Sequence, residues 1–191
     1  LKADLGESGA PERVVQQAEH GLGPLDILVV NHGIWKHAPI ASMTDEEWEE
    51  TLRVNLSSAR ALTAEVSRRM VPRGAGTMVL VASTAGQRGE AGHSHYAATK
   101  GALIAFAKSL AKELGPSGIR VNVVAPGWVQ TDMTRETLKT PESRVVVDAI
   151  PLGRVARPEE IAGPVAFLAS DLASYMHGHV LSVNGGSLMV G

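Results

Sequence analysis

The chain has 191 residues, of which 20 are acidic and 18 are basic, so its net charge at pH 7 is −2. This length suits one domain with a sizeable core, and the 44% hydrophobic content excludes a disordered chain. The near-neutral charge argues against nucleic acid or a membrane as partner, and no apolar run is long enough to cross a bilayer. The absence of cysteine excludes disulfides and thiolate metal sites, and it leads us to expect a cytoplasmic protein.

Four short runs rich in β-branched residues are predicted to be strands, at residues 26–31, 77–83, 119–125 and 179–183. The first two runs are apolar on both faces, which is typical of parallel strands covered by helices on each side. Residues 1–5 read as the end of an earlier strand that runs into a loop.

Three longer helices are predicted between these strands. The first starts at a capping box, residues 44–47, in which Thr44 and Glu47 can satisfy free backbone N–H groups. Its buried face is expected to consist of Trp48, Leu52, Leu56, Ala59, Leu62 and Val66. The second spans about residues 94–114 and stops at Gly115 and Pro116. The third starts at Pro158, and Pro164 inside it is expected to kink or break it.

The alternation of strands and helices predicts an α/β fold with a doubly wound parallel sheet in a single domain. Ligands of such sheets bind outside the carboxyl ends of the strands. Polar or small residues follow the predicted strand ends, and we expect them to face one crevice. They are Asn31, His32, Gly33, Ser83, Pro126, Gly127 and Thr131.

The sharpest chemical signal is the pair Tyr96 and Lys100, four residues apart on the second helix and therefore on one face. A tyrosine with its ordinary pKa of about 10 exchanges protons poorly at neutral pH. A nearby ammonium favours the phenolate and lowers the pKa, so Tyr96 becomes a usable general acid or base. Ser83 could hydrogen-bond a substrate oxygen. A plain surface Tyr–Lys pair is the alternative, and the position of Ser83 at a strand end favours the functional interpretation.

Ser83, Tyr96 and Lys100 at these spacings resemble the catalytic triad of the short-chain dehydrogenase/reductase family. Asn55, within Val54-Asn55-Leu56, resembles the fourth catalytic residue of the family. The loop at residues 126–131 and the pair Asp4-Leu5 match further family motifs. The runs at residues 45–48, 131–134 and 183–186 are most similar to the 3-oxoacyl-[acyl-carrier-protein] reductases of the family.

This resemblance implies a Rossmann-like fold and a hydride transfer between NADP or NAD and a small carbonyl or alcohol substrate, with 3-oxoacyl thioesters as one candidate. Tyr96 would exchange a proton with the substrate oxygen, which Ser83 would hold. Lys100 would lower the pKa of Tyr96 and bind the nicotinamide ribose, and Asn55 would anchor a water leading to Lys100. The implied cofactor-binding residues are Asp4, Leu5, Asn31, Gly33, Tyr96, Lys100, Pro126, Gly127, Val129 and Thr131.

The sequence departs from the family pattern in two places. Val30 and His32 stand where the family has an amide and a methyl side chain. The glycine-rich turn that seats the cofactor pyrophosphate is not found in the sequence. We therefore expect residues 1–191 to be the C-terminal two-thirds to three-quarters of one domain that lacks its first strands here. The strand at residues 26–31 would then have an unpaired apolar edge.

Alternatives remain open at this point. An alcohol, sugar or steroid dehydrogenase of the same family is one, and a non-catalytic scaffold or regulator without a complete nucleotide site is another. The resemblance also implies a homotetramer, or a homodimer, formed through the long helices and the C-terminal segment. Arg68, Arg69 and Arg73 could dock an acyl carrier protein. His93 and His95, and likewise His177 and His179, lack an accompanying carboxylate cluster, so no metal site is expected.

Overall fold

The computed structural model describes residues 1–141 and 143–190 and shows strands and helices in alternation. The strands are β1 (Ile27–Val30), β2 (Gly76–Val81), β3 (Ile119–Pro126) and β4 (Val180–Val183). The helices are α1 (Ala10–Leu22), α2 (Asp45–Leu52), α3 (Ser58–Met70), α4 (Ala85–Arg88), α5 (Ser94–Leu114), α6 (Arg135–Leu138), α7 (Ser143–Asp148) and α8 (Pro158–Ala169). A π-helical turn, Arg53–Ser57, joins α2 to α3.

The four strands form one parallel sheet in the order β1-β2-β3-β4. The larger core cluster packs side chains of α3 and α5 against one face of the sheet, and Leu168 of α8 packs with Val79 and Val124 on the other. Helices therefore cover both faces, which confirms the predicted doubly wound α/β fold. Within the described ranges, no helix combines the length and apolarity that a bilayer crossing requires.

The edge strand β1 has the unpaired apolar edge that the sequence predicts, and it is less covered than the expectation of helices on both faces would give. Val30 is buried, but Ile27 and Val29 are 52% and 42% exposed, because only β2 lies beside the strand. The strand expected at residues 1–5 does not form, because residues 1–4 have no regular secondary structure and pair with none of the described strands. Instead the Asp4 carboxylate accepts a hydrogen bond from the Gly6 N–H at 2.8 Å in a turn that precedes α1.

The capping box at Thr44 is confirmed, because its hydroxyl accepts from the Glu47 N–H and the Glu47 carboxylate accepts from the Thr44 N–H. The predicted buried face is correct from Ala59 onward and wrong before it. Trp48, Leu52 and Leu56 are half-buried, whereas the fully buried positions are Thr51, Asn55 and Ser58. The π turn accommodates one extra residue, so the faces before and after it are out of register.

Helix α5 begins and ends where the sequence predicts, at Ser94 and Leu114. Helix α8 also begins at Pro158 as predicted, but Pro164 does not break it, and the helix continues to Ala169. The proline removes only the hydrogen bond that its own N–H would donate to the preceding turn, and the remaining bonds of the helix hold.

Candidate active site

The carboxyl ends of β1, β2 and β3 open into one cleft of about 400 Å³, which the N-terminal half of α5 borders. Its lining includes Asn31, Gly33, Ser83, Tyr96, Lys100, Pro126, Gly127, Val129 and Thr131. The structure therefore brings together nearly all of the residues singled out in the sequence. Parallel strands place their carboxyl ends at one edge of the sheet, and this explains the convergence.

Lys100 is 4% exposed, and its ammonium donates a hydrogen bond to the Val81 carbonyl at 2.9 Å. Burial lowers the pKa of Lys100 to about 8. An ammonium has three N–H donors, and within the described part of the chain this one bonds a single acceptor. A buried cation at a cleft wall, with donors to spare, fits the vicinal hydroxyls of a ribose.

Tyr96 lies beside this cation, with the Lys100 Nζ atom 5.7 Å from the centre of the phenol ring. Burial nevertheless raises the pKa of Tyr96 to about 12, and the nearby Ser83 hydroxyl, which accepts from the Ala85 N–H at 3.1 Å, offsets only part of that rise. Lys100 is not among the groups that set this pKa in the structure, so the expectation that it lowers the Tyr96 pKa stays a prediction. The ammonium points to the Val81 carbonyl, and the loss of hydration around the phenol dominates.

Asn55 lies in the π turn and is 1% exposed. Its amide oxygen accepts from the Ile34 N–H at 2.7 Å, and its amide nitrogen donates to the Ile34 carbonyl at 2.9 Å. A longer bond of 3.3 Å reaches Thr99 on α5. Asn55 thus ties the loop after β1 to the helix that carries Tyr96 and Lys100.

Gly33 separates Asn55 from Lys100. A Cβ atom at this position would lie 3.1 Å from the Asn55 Oδ1 atom and 3.6 Å from the Lys100 Nζ atom. A methyl group there would be tight against the Asn55 amide and in ordinary contact with the Lys100 ammonium, so a larger side chain would require Asn55 to shift.

The loop after β3 is held by backbone hydrogen bonds. Gly127 donates to the Val183 carbonyl at 2.9 Å, and the Trp128 carbonyl accepts from the Ala156 N–H at 2.9 Å. The Thr134 hydroxyl donates to the Val129 carbonyl at 2.5 Å and accepts from the Thr131 N–H at 3.2 Å. These contacts fix Val129 and Thr131 on the cleft wall opposite Gly33.

Two of the predicted cofactor-binding residues lie elsewhere. Asp4 is exposed in the turn before α1, and Leu5 packs against the main core, so neither residue lines the cleft. The polar end of the Asp4 side chain is engaged by Gly6, its own neighbour in the turn.

His32 bonds the helix that follows the π turn. The Ser58 hydroxyl donates to the Val54 carbonyl at 2.6 Å, so His32 Nε2 must be the donor in its 2.6 Å contact with that hydroxyl. Burial, reinforced by the nearby Lys100 ammonium, lowers the pKa of His32. The imidazole is therefore neutral at pH 7 and fastens the loop after β1 to α3.

A second, smaller cavity of about 70 Å³ adjoins the cleft and shares Ser83 and Tyr96 with it. Trp35, Glu90 and Trp128 also line this cavity. Trp35 and Glu90 were not among the site residues predicted from the sequence. A signal for Trp35 was present, since it falls just after a predicted strand, as Trp128 does.

The geometry defines a class of protein: a doubly wound parallel sheet with a tyrosine, a lysine and a serine at one cleft. The family model described as enoyl-(acyl carrier protein) reductase matches residues 1–187. The chain belongs to the short-chain dehydrogenase/reductase family and is an NAD(P)-dependent oxidoreductase.

One curated protein and two solved structures show which members of the family the chain is similar to. The chain is 42% identical over 190 residues to the 3-oxoacyl-[acyl-carrier-protein] reductase of Escherichia coli strain K12, covering 100% of this chain and 78% of that protein. A gluconate 5-dehydrogenase from Burkholderia cenocepacia J2315, solved with NADP and tartrate, superposes with a TM-score of 0.92 at 30% identity, covering 97% and 73%. A short-chain dehydrogenase/reductase (glucose/ribitol dehydrogenase) from Brucella melitensis gives 0.92 at 36% identity, covering 100% and 76%.

Proposed function

We propose that the protein reduces the carbonyl group of a 3-oxoacyl thioester, with NADPH or NADH as the reductant. The observation that carries this proposal is that the cleft and the smaller cavity share Ser83 and Tyr96 in their linings. A substrate carbonyl placed at that junction has two hydroxyl groups within reach and the larger cleft beside it. The 3-oxoacyl reductase named among the relatives supports this choice of substrate.

The residues that line the cleft fit the nicotinamide end of the cofactor. Lys100 would bond the ribose hydroxyls, Val129 and Thr131 the amide, and Asn31 and Gly33 would lie toward the adenosine. When bound, the nicotinamide supplies the hydride for reduction of the carbonyl carbon.

Tyr96 is the proton donor in this proposal. A pKa of about 12 makes the phenol a weak acid that is protonated at neutral pH, and it can still donate because the alkoxide left by hydride addition is more basic than a phenolate. The Ser83 hydroxyl would hold the same oxygen and stabilise its charge, as a donor in an oxyanion hole does. Lys100 then stands ready to pass a proton toward Tyr96, because burial has lowered its pKa to about 8. Asn55 would keep the loop after β1 in place around this path.

Two alternatives within the family have specific support. The matching family model is described as an enoyl reductase, which would act on a carbon–carbon double bond. The neighbour solved with NADP and tartrate is a gluconate 5-dehydrogenase, which points to a polyol or sugar acid. The pairing of Ser83 with Tyr96 favours an oxygen as the group that accepts the proton. The same pairing argues against a non-catalytic scaffold.

We further propose a cytoplasmic homotetramer or homodimer, with an acyl carrier protein as the carrier of the substrate. Exposed apolar side chains near the C-terminal end, including Leu172 and Tyr175, support self-association. The support for a carrier protein comes from the relatives' names, because the arginines at the end of α3 are already paired. Arg68 and Arg69 contact Glu65.

A Tyr96→Phe variant tests the catalytic assignment. We expect its kcat for reduction of a 3-oxobutanoyl thioester to fall by about 10²–10⁴-fold, because the proton donor is lost while the ring remains. The measurement is the oxidation of NADPH and of NADH followed by absorbance, with the Tm as a check on folding. A 2-butenoyl thioester in the same assay, and gluconate in the reverse direction with NADP⁺ or NAD⁺ as the oxidant, serve as alternative substrates. Full turnover by the variant, or turnover of an alternative substrate alone, would contradict the proposal.

A further inference from the structure

Four aromatic rings form a continuous wall beside Ser83 and Tyr96. The rings of Trp35 and His93 stack with centres 4.4 Å apart and planes 6° from parallel. Trp128 meets Trp35 edge-on at 5.7 Å, and His37 meets His93 edge-on at 5.3 Å. We call Trp35, His37, His93 and Trp128 the aromatic wall. Its two tryptophans line the small cavity that contains Ser83 and Tyr96.

Contacts outside the rings hold the aromatic wall in place. The Trp35 indole N–H donates to the Glu90 carboxylate at 3.3 Å. The Ala38 N–H donates to the Gly92 carbonyl at 2.8 Å, and the Trp128 carbonyl accepts from Ala156 at 2.9 Å. Three loops that are distant in the sequence are therefore joined to one another, and His93 is only 7% exposed between them. Moving one ring would break contacts of the others.

The space that the aromatic wall leaves is small. The cavity is about 70 Å³, against about 400 Å³ for the cleft on the other side of the Ser83–Tyr96 pair. A carbonyl held by these two hydroxyls must direct one of its substituents toward the tryptophans. Trp35 and Trp128 are half-buried and held by their neighbours, so a long flexible chain would have to displace them or leave through the open side of the cavity.

We infer that the aromatic wall sets the substrate length, so that the protein prefers a short 3-oxoacyl chain. This inference rests on the proposed reductase function, and it assigns Trp35 and Trp128 as specificity-determining residues. The proposed length preference does not depend on Tyr96 as proton donor or on the residues of the cofactor cleft.

The test is a series of 3-oxobutanoyl, 3-oxohexanoyl and 3-oxodecanoyl thioesters of N-acetylcysteamine, reduced by the full-length protein with NADPH and with NADH. We expect kcat/KM to fall by at least about tenfold from the shortest to the longest chain, since one misfitting methylene can cost that much. Trp35→Leu and Trp128→Leu, each alone, should recover most of that loss for the longest chain. Circular dichroism identifies a variant that fails to fold, and the other variant then carries the comparison.

Trp48→Leu is the matched control, because Trp48 is a half-buried residue of α2 outside the aromatic wall. It should leave the length preference unchanged. A wild-type profile that is flat with chain length would overturn the inference and leave the reductase function standing. A preference that survives in both folded tryptophan variants would also overturn it. Failure to reduce any of the three thioesters with either cofactor would instead contradict the proposed function.

Discussion

On the cleft side of Ser83 and Tyr96 the backbone makes close approaches at two glycines, whereas on the cavity side two large tryptophan side chains line the space. On the cleft side, a Cβ atom at Gly33 would lie 3.1 Å from Asn55, and one at Gly127 would lie 2.8 Å from Asn184. On the cavity side, Trp35 and Trp128 provide the surface. The shape of the cleft therefore depends on backbone placed by the sheet, and the shape of the cavity on rings that substitution can trim.

Lys100→Met removes the buried cation of the cleft, and we expect it to have the largest effect on activity of the variants that test this contrast. We expect activity to fall by at least about 100-fold, because the proposed proton path and ribose contact are both lost. Stability should rise by about 1–3 kcal/mol, since burial of the ammonium lowers its pKa from 10.5 to about 8. The measurements are NADPH-dependent turnover and denaturant unfolding.

The lowered pKa of Lys100 also determines how the free energy of unfolding changes with pH. A Lys100 pKa that is lower in the folded state than in the unfolded state means that the unfolded state binds more protons above pH 8. Wild-type stability should therefore gain a contribution between about pH 8 and pH 10 that Lys100→Met lacks. Lys108→Met is the matched control on the exposed face of α5, and it should change neither activity nor this slope. An active Lys100→Met variant would show that the cleft does not need its cation.

Gly33→Ala is expected to have a smaller effect, and it probes the backbone wall directly. The added methyl group would press on the Asn55 amide, which is itself bonded to Ile34, so we expect a loss of about 1–3 kcal/mol in stability. Activity should fall by about tenfold, and by the same factor for every length of acyl chain. An equal loss of activity at every chain length distinguishes Gly33→Ala from Trp35→Leu, because truncating Trp35 should change the length preference instead. Steady-state kinetics with the same thioester series measures it.

Gly21→Ala provides the control for this substitution. Gly21 lies in α1 with nothing near the position of its Cβ, so alanine there should stabilise the protein by about 0.5–1 kcal/mol. If Gly33→Ala behaved like Gly21→Ala, the backbone at Gly33 would not define the cleft. If Gly33→Ala shifted the length preference, the separation of the two walls would fail.

Local signals explain which parts of the fold could be predicted. The stop at Gly115 and Pro116 places the end of α5, and the capping box places the start of α2. Both depend on residues adjacent in sequence. The π turn was not predicted, because its Asn55 is held by Ile34 and Thr99, which are distant in the chain. The burial of Asn55 in place of an apolar residue follows from those contacts.

The two walls of the site were predictable to different degrees for the same reason. The cleft residues follow strand ends, and parallel strands bring those ends together whatever the side chains are. The aromatic wall depends on Trp35, His93 and Trp128 meeting across three loops, and no local pattern encodes that meeting. The value of the Tyr96 pKa was equally beyond the sequence, since burial of the phenol outweighs the nearby charge.

His95 gives the smallest expected effect and lies just outside the aromatic wall. Its side chain is fully buried, and both ring nitrogens lack a hydrogen-bond partner within the described residues. Burial lowers its pKa, His93 adds to that effect, and Glu47 opposes it. Because the unfolded state then binds more protons at acid pH, His95 should reduce stability as the pH falls below about 6.5.

His95→Leu should therefore be neutral or stabilising by up to about 1 kcal/mol at pH 7, because an unpartnered polar ring is replaced by an apolar side chain. The loss of stability between pH 7 and pH 5 should also become smaller than in the wild type. Urea unfolding at the two pH values measures both effects, with the exposed His20→Gln on α1 as the control that should leave the curve unchanged. A strongly destabilised His95→Leu would mean that the imidazole has a bonding partner when the protein is in solution.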